Sequence, residues 1–287
     1  MSDPAAVDSS ALDPDDILDL LTRGEIEVRG RMVDASNATL YAVIERDSVR
    51  GRCVYKPIAG ERPLWDFPSR TLAHREVAAY ELSAATGWDV VPPTVLREGP
   101  FGRGSVQWWV GDGSVDADGD PVGGDPGAGL VDIVTPDTVP SGWLQVLRAE
   151  NYDGSPVSLV HADDPGLARM ALFDVVANNA DRKGGHVLRD LAGGVRGVDH
   201  GLTFNVEDKL RTVLWGWGGR RVPADDLDTL QRIAADLDRQ GDLHRRLRAL
   251  LSAGEVDRTA FRLSRLLQAG RFPRPGGSRH PIPWPAF

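Results

Sequence analysis

Along the first third of this chain, apolar and polar residues alternate in short bursts, and the period then lengthens to that of helices. Residues 25–33, 38–45 and 52–57 read as three strands, rich in Val, Ile and Tyr and carrying polar residues between the apolar ones. Ahead of them, Asp13 is placed to cap a short helix, with Pro14 at its first position and Asp15 and Asp16 in its first turn. The apolar positions Ile17, Leu18, Leu20 and Leu21 give that helix a face to dock. Ser69 is placed to cap a helix running to Thr86, with Gly87 as its stop. Residues 94–96 and 104–110 read as two more strands, and the acidic, glycine-rich stretch 111–129 has no hydrophobic period.

The second half is mainly helical in pattern. Residues 141–149 carry apolar positions at helical spacing, and a nearly all-apolar run, 167–177, follows Asp163, Asp164 and Pro165, which mark a helix start. Residues 187–188 and 195–198, joined by 189–193, read as a β-hairpin. Segments 225–239, 243–253 and 256–269 return to helical spacing, with Ser252, Gly254 and Gly270 as breaks. The five prolines between Phe272 and Phe287 predict an extended tail, docked by Trp284 and Phe287. The pattern divides the chain into an extension (1–23), a β-rich lobe (24–110), a loop (111–129), a helical lobe (130–270) and a proline-rich tail (271–287). The expected fold class is α+β, in two lobes.

Composition narrows the function classes. A net charge of −9 argues against a broad nucleic-acid or anionic-membrane surface. The single cysteine, Cys53, cannot form an intramolecular disulfide and suits a reducing compartment. The N-terminal residues lack the basic start and apolar core of a signal peptide, and no apolar run approaches the roughly 20 residues of a membrane span. A cytoplasmic protein without a membrane span is expected.

The chemistry concentrates in Asn178-Asn179-Ala180-Asp181-Arg182-Lys183-Gly184-Gly185-His186-Val187 and in Val198-Asp199-His200-Gly201. Asp181 and Asp199 each stand where a structured segment breaks, and the hairpin between them would return one aspartate beside the other. Phosphoryl transfer needs such a pair, one carboxylate to orient a hydroxyl and one to hold a divalent cation against nucleotide phosphates. At these residues the chain resembles the phosphatidylinositol 3-/4-kinase-like superfamily, in its actinobacterial branch, and its bacterial protein-kinase relatives of the HipA type. Asn179-Ala180-Asp181 matches the start of that family's Asn-x-Asp-x-His-x-x-Asn loop, and Asp199-His200-Gly201 matches its Asp-Phe-Gly-like turn. Lys183 stands in place of the family's His, and His186 in place of its metal-binding Asn. An imidazole suits manganese better than hard magnesium.

The resemblance implies a two-lobed kinase-like fold that binds ATP with Mg²⁺ or Mn²⁺. It implies Asp181 as the residue that orients the acceptor, and Asp199, His186 and Asn179 as the metal-binding set. Lys56, at the end of its strand and before Pro57, would hold nucleotide phosphates, although a strand-end lysine can also simply reach water. Glu76, twenty residues on, would fix the lysine, with Glu81 as its competitor on another helix face. Ser36 and Asn37, in the turn after the first strand, would donate to phosphates, or form only a polar hairpin. Gln107, Trp109 and Val110, at the end of the last strand of that lobe, would wall the adenine, or be buried in the sheet. The run Lys56-Pro57-Ile58-Ala59-Gly60-Glu61-Arg62-Pro63-Leu64-Trp65-Asp66-Phe67 is itself recognisable in that branch. Trp215 and Trp217, set among glycines, occupy the place of an activation loop and either pack or meet a substrate.

The phosphoryl acceptor stays open between a protein and a small polar hydroxyl compound. Two other readings use the same residues: a nucleotide-binding pseudokinase that docks a protein partner, and a nucleotidyltransferase that holds metal on the same aspartates.

Overall fold

The computed structural model describes residues 12–32, 37–111, 127–276 and 280–287. Ser36 and most of the 111–129 loop lie outside the described residues. The first helix forms as its cap predicts: α1 (Pro14–Arg23) begins with the Asp13 carboxylate accepting from the Asp15 amide at 2.9 Å. Its Ile17, Leu20 and Leu21 are buried with Ile26, Ala42, Ile44, Cys53, Tyr55 and Val106 on one face of a five-stranded antiparallel sheet. The sheet is built from β1 (Glu25–Arg31), β2 (Leu40–Arg46), β3 (Val49–Pro57), β4 (Thr94–Gly99) and β5 (Gly102–Trp108), in the order β1-β2-β3-β5-β4. Strand β3 starts three residues earlier than its apolar pattern suggests. Asp47 and Ser48, both at positive φ, close a two-residue hairpin whose twist matches the strands it joins.

Along β3, Gly51, Cys53, Tyr55 and Pro57 are buried and alternate with half-buried residues. Lys56 therefore leaves the sheet on the face opposite Tyr55, towards α2 (Leu72–Thr86). That helix stops at Gly87, in the left-handed conformation at φ +69°. Its start differs from the sequence expectation. Arg70 sits at φ +65° and breaks the helical path after Ser69, so Thr71 takes the cap position without a side-chain bond to the helix amides. The open amides of Leu72 and Ala73 are met instead by the Glu61 carboxylate, at 3.1 and 2.9 Å.

In the second lobe the helix expected over residues 141–149 is a strand. β6 (Val131–Val134), β7 (Trp143–Glu150) and β8 (Pro156–Ala162) form an antiparallel sheet in the order β6-β8-β7. Strand β7 carries a register shift between Gln145 and Leu147. The extra residue turns a period of two into apolar positions at 143, 144, 146 and 147, which imitates a helix. The all-apolar run is α3 (Pro165–Ala177), capped by Asp164 through the Gly166 and Leu167 amides. Leu167, Met170, Leu172, Phe173 and Val176 place it at the centre of the main core. The predicted hairpin is β9 (Val187–Arg189) against β10 (Val195–Gly197).

Helices α4 (Ala224–Asp236), α5 (Asp242–Arg248) and α6 (Ala253–Ala269) complete the lobe. Ser252 and Glu255 form a capping box, which carries Gly254 inside α6 rather than leaving it as a break. The architecture is thus α+β, with a β-rich N-terminal lobe and a mainly helical C-terminal one. The tail docks through buried Pro283 and through the Phe287 ring against Gly184. Trp284, at 84% exposure, is not an anchor. Among the described residues no helix is long and apolar enough to cross a membrane.

Candidate functional site

The cleft between the lobes is organised by one lysine. Lys56 Nζ donates to Glu76 Oε1 at 2.5 Å and to Asp199 Oδ1 at 2.8 Å. The second Glu76 oxygen accepts from the backbone amide of His200 at 2.9 Å. Strand β3, helix α2 and the turn after β10 are thereby tied at one point. Glu81, the competing glutamate, faces Arg246 instead, at 3.3 Å. The two carboxylates hold Lys56 charged, pushing its pKa up against the cost of burial. Lys56 in turn holds the Asp199 carboxyl well below the usual carboxylate range. Asp199 has φ +58°, a conformation that L residues other than Asn and Asp seldom adopt. The turn needs it so that the carboxylate faces Lys56 while the next amide reaches Glu76.

Asp181 arrives from the other side. Helix α3 ends at Asn178, left-handed at φ +53°, whose side chain then binds the Asn205 and Glu207 carbonyls and the Lys209 amide. The following loop is shaped by Asn179. Its Oδ1 accepts from the Asp181 amide at 2.9 Å, and its Nδ2 donates to Asp174 at 3.0 Å. Asn179 is 1% exposed, so its amide is engaged within the loop and is not brought to Asp199. The Asp181 carboxylate remains open to the cleft, 3.7 Å from Lys183 Nζ. Burial, reinforced by Asp199 and opposed by Lys183 and Arg211, raises its pKa to about 6.

His186 stands between the two aspartates. Its Nδ1 lies 2.9 Å from the Asp181 carbonyl, a pairing in which the ring must donate, and its Nε2 lies 3.5 Å from Asp199 Oδ2. Burial is the main cause that lowers its pKa to about 4, so at neutral pH Nε2 carries a lone pair. A lone pair and a carboxylate oxygen thus face each other with no proton between them. This donor set fits a divalent cation. Among the described residues, no three His, Cys, Asp or Glu side chains are grouped to cage a metal by themselves.

Sequence reasoning missed the support beneath this loop. Asp174, fully buried on α3, accepts from Arg182, Asn179 and Thr212. Arg182, also fully buried, reaches the His186 and Val198 carbonyls and His200 Nε2. One guanidinium therefore fixes the Asp181 loop to the Asp199 turn. A charged residue inside an apolar helix was the available signal, since a buried carboxylate needs a partner.

The remaining candidates lie further out. Asn37 Oδ1 accepts from the Arg62 amide at 2.9 Å. Gln107 is buried and donates to Thr94 at 2.9 Å, inside the sheet. Trp109 packs edge-on against Tyr41 at 5.1 Å, and Val110 is half-buried after the end of β5. The aromatic run after β3 crosses between lobes: Asp66 pairs with Lys209 at 2.8 Å, and Phe67 packs on Ala180 beside Asp181. Trp65 is exposed over Lys209, whereas Trp217 is buried and donates to Asp163 at 2.7 Å. Trp215 is half-buried and donates to the Pro281 carbonyl.

Comparison with known proteins gives one extensive sequence match. The chain is 48% identical over 274 residues to Protein Rv2133c of Mycobacterium tuberculosis, covering 95% of this chain and 96% of that protein. No family model matches the chain. Among solved structures, the Helicobacter pylori proinflammatory kinase CtkA aligns over 88% of this chain and 94% of its own, with a TM-score of 0.43 and 12% identity.

Proposed function

The chain belongs to the family of the Mycobacterium tuberculosis protein Rv2133c, and we propose that it is an ATP- and divalent-metal-dependent phosphotransferase. The observation that carries this reading is the bridging of Lys56 between Glu76 and Asp199, with Asp181 facing the same cleft across His186. Lys56, kept charged, neutralises nucleotide phosphate oxygens, and Glu76 fixes its direction. Asp199 and His186 Nε2 hold the divalent cation, Mg²⁺ or Mn²⁺, which when bound offsets phosphate charge and polarises the γ-phosphoryl group.

Asp181 orients the acceptor hydroxyl and accepts its proton as the new P–O bond forms and the bond to ADP breaks. A pKa near 6 leaves it mostly ionised at neutral pH and makes it a stronger base than a free aspartate. Lys183, beside it, offsets the charge spreading over the phosphoryl oxygens. The acceptor is a protein or a small polar hydroxyl compound.

Incubation with γ-labelled or α-labelled ATP, with each metal, tests the reading. Transfer of γ label that is lost in Asp181→Asn supports the phosphotransferase. Transfer of α label would instead mean nucleotidyl transfer. Metal-dependent binding without either would mean a nucleotide-binding pseudokinase.

A further inference from the structure

The C-terminal segment lies against the loop that carries Asp181, and its contacts are more specific than those of a passive tail. The Gly184 amide, three residues after Asp181, donates to the Ala286 carbonyl at 2.8 Å. The Phe287 ring lies so close that a Cβ on Gly184 would fall 2.2 Å from its Cε1 and 2.5 Å from its Cζ. No side chain other than hydrogen fits at 184 while the ring stays in place. At the other end, the Pro281 carbonyl accepts from the Thr212 amide at 3.0 Å and from Trp215 Nε1 at 2.9 Å.

Thr212 is the residue that bridges Arg182 in parallel, and its hydroxyl reaches Asp174. Residues 281–287 therefore clasp both strands of the Arg182–Thr212 bridge, from the loop side and from the 212–215 side. Between the two clasps, Pro283 is buried, and Ile282 and Ala286 pack on the main core.

From this geometry we infer that residues 281–287 are a positioning element of the catalytic loop, with Phe287 against Gly184 as its registering contact. The inference rests on the proposed role of Asp181 for its catalytic consequence and on the clasp alone for its structural one. The loop from Asn179 to His186 is held from beneath by Arg182 and Asp174. On its outer side the tail supplies the bond to the Gly184 amide and the ring that fixes the glycine. Loosening that side leaves the Lys56–Glu76–Asp199 contacts in place and displaces Asp181, Lys183 and His186 relative to them. A small misplacement of this kind can lower a rate up to about a hundredfold.

The protein is compared with Gly184→Ala, Phe287→Ala and the double variant, with Phe287→Tyr as the conservative control. Three quantities are read: amide hydrogen exchange at Gly184, ATP affinity with metal, and γ-phosphoryl transfer. In each single variant, exchange at position 184 should quicken and transfer fall about tenfold, by more than metal–ATP affinity does, with Phe287→Tyr near wild type. Because both substitutions break one contact, the double variant should be no worse than the weaker single. Unchanged exchange in Phe287→Ala would overturn the inference, as would multiplying losses in the double variant. Quickened exchange with unaltered transfer would overturn it too, reducing the tail to a structural brace. If the wild-type protein transfers no phosphate, the phosphotransferase reading fails by itself, and the exchange comparison still decides whether the tail orders the loop.

Discussion

His161 and His186 belong to the same lobe, and burial lowers the pKa of each to about 4. Both are neutral imidazoles at physiological pH, and both have Nδ1 set against a backbone carbonyl at 2.9 Å, where it must donate. They differ at Nε2. In His161 it accepts from the Gly216 amide at 3.1 Å, with Trp217 stacked at 4.2 Å. In His186 it faces a carboxylate oxygen. The first region is closed, both ring nitrogens of its histidine having met a partner from the chain. The second leaves two acceptors opposed, which a fold tolerates where a cation or its ligand completes the arrangement. The same contrast separates the Arg182–Asp174 pair, fully buried and bonded on several sides, from the Lys56–Asp199 pair, whose aspartate is 53% exposed.

Breaking the closed side should cost stability. Arg182→Met leaves Asp174 as an uncompensated buried charge and should remove about 3–5 kcal/mol, read as a lowered urea midpoint. Breaking the open side should cost chemistry instead. Asp181→Asn should lower γ-phosphoryl transfer by about 10²–10⁴-fold, with the urea midpoint and ATP affinity close to wild type. If Arg182→Met unfolded at the wild-type midpoint, or Asp181→Asn lost its fold, the division between the two regions would not hold.

The closed region should also show itself in a pH series. His161 is depressed from 6.5 to about 4 by burial, against smaller upward pulls from the Ala162 carbonyl and Asp163, and with a smaller downward one from Arg220. Unfolded, the ring binds a proton that the folded site refuses. Its contribution to stability is therefore complete above about pH 6.5 and declines as pH falls towards about 4, at roughly 1.4 kcal/mol per pH unit at most. His161→Asn should show a shallower slope of stability against pH across that window than wild type. Parallel slopes would mean that the ring already accepts a proton when folded. The smallest effect belongs to the cap of α2: Glu61→Ala should cost about 1 kcal/mol, since the Leu72 and Ala73 amides lose their acceptor.

The same division explains what the sequence could reveal. Strands β1 to β3 were legible because period two survives there, as was α1, whose cap is local. Strand β7 was not, because its bulge imitates a helical period, and a bulge depends on the partner strand. The α2 cap was misplaced because its acceptor, Glu61, lies ten residues before Thr71, beyond any cap pattern. The pairing of Lys56 with Glu76 came from chain order in a resembling family, since nothing in their twenty-residue separation demands it. The Arg182–Asp174 support was hidden because its contacts reach from α3 to Thr212 and across to His200. The clasp of Phe287 on Gly184 joins residues about a hundred apart, and no local pattern carries such a contact.

In the proposed function a nucleotide and its metal complete the opposed acceptors of the cleft. Calorimetric titration of ATP into the wild-type protein and into Asp199→Asn, each with and without Mg²⁺ or Mn²⁺, tests it most directly. Tight binding is expected only with metal in the wild type, with loss of the metal-dependent part in the variant. Equal affinity with and without metal, or an Asp199→Asn variant that binds metal–ATP as the wild type does, would contradict it.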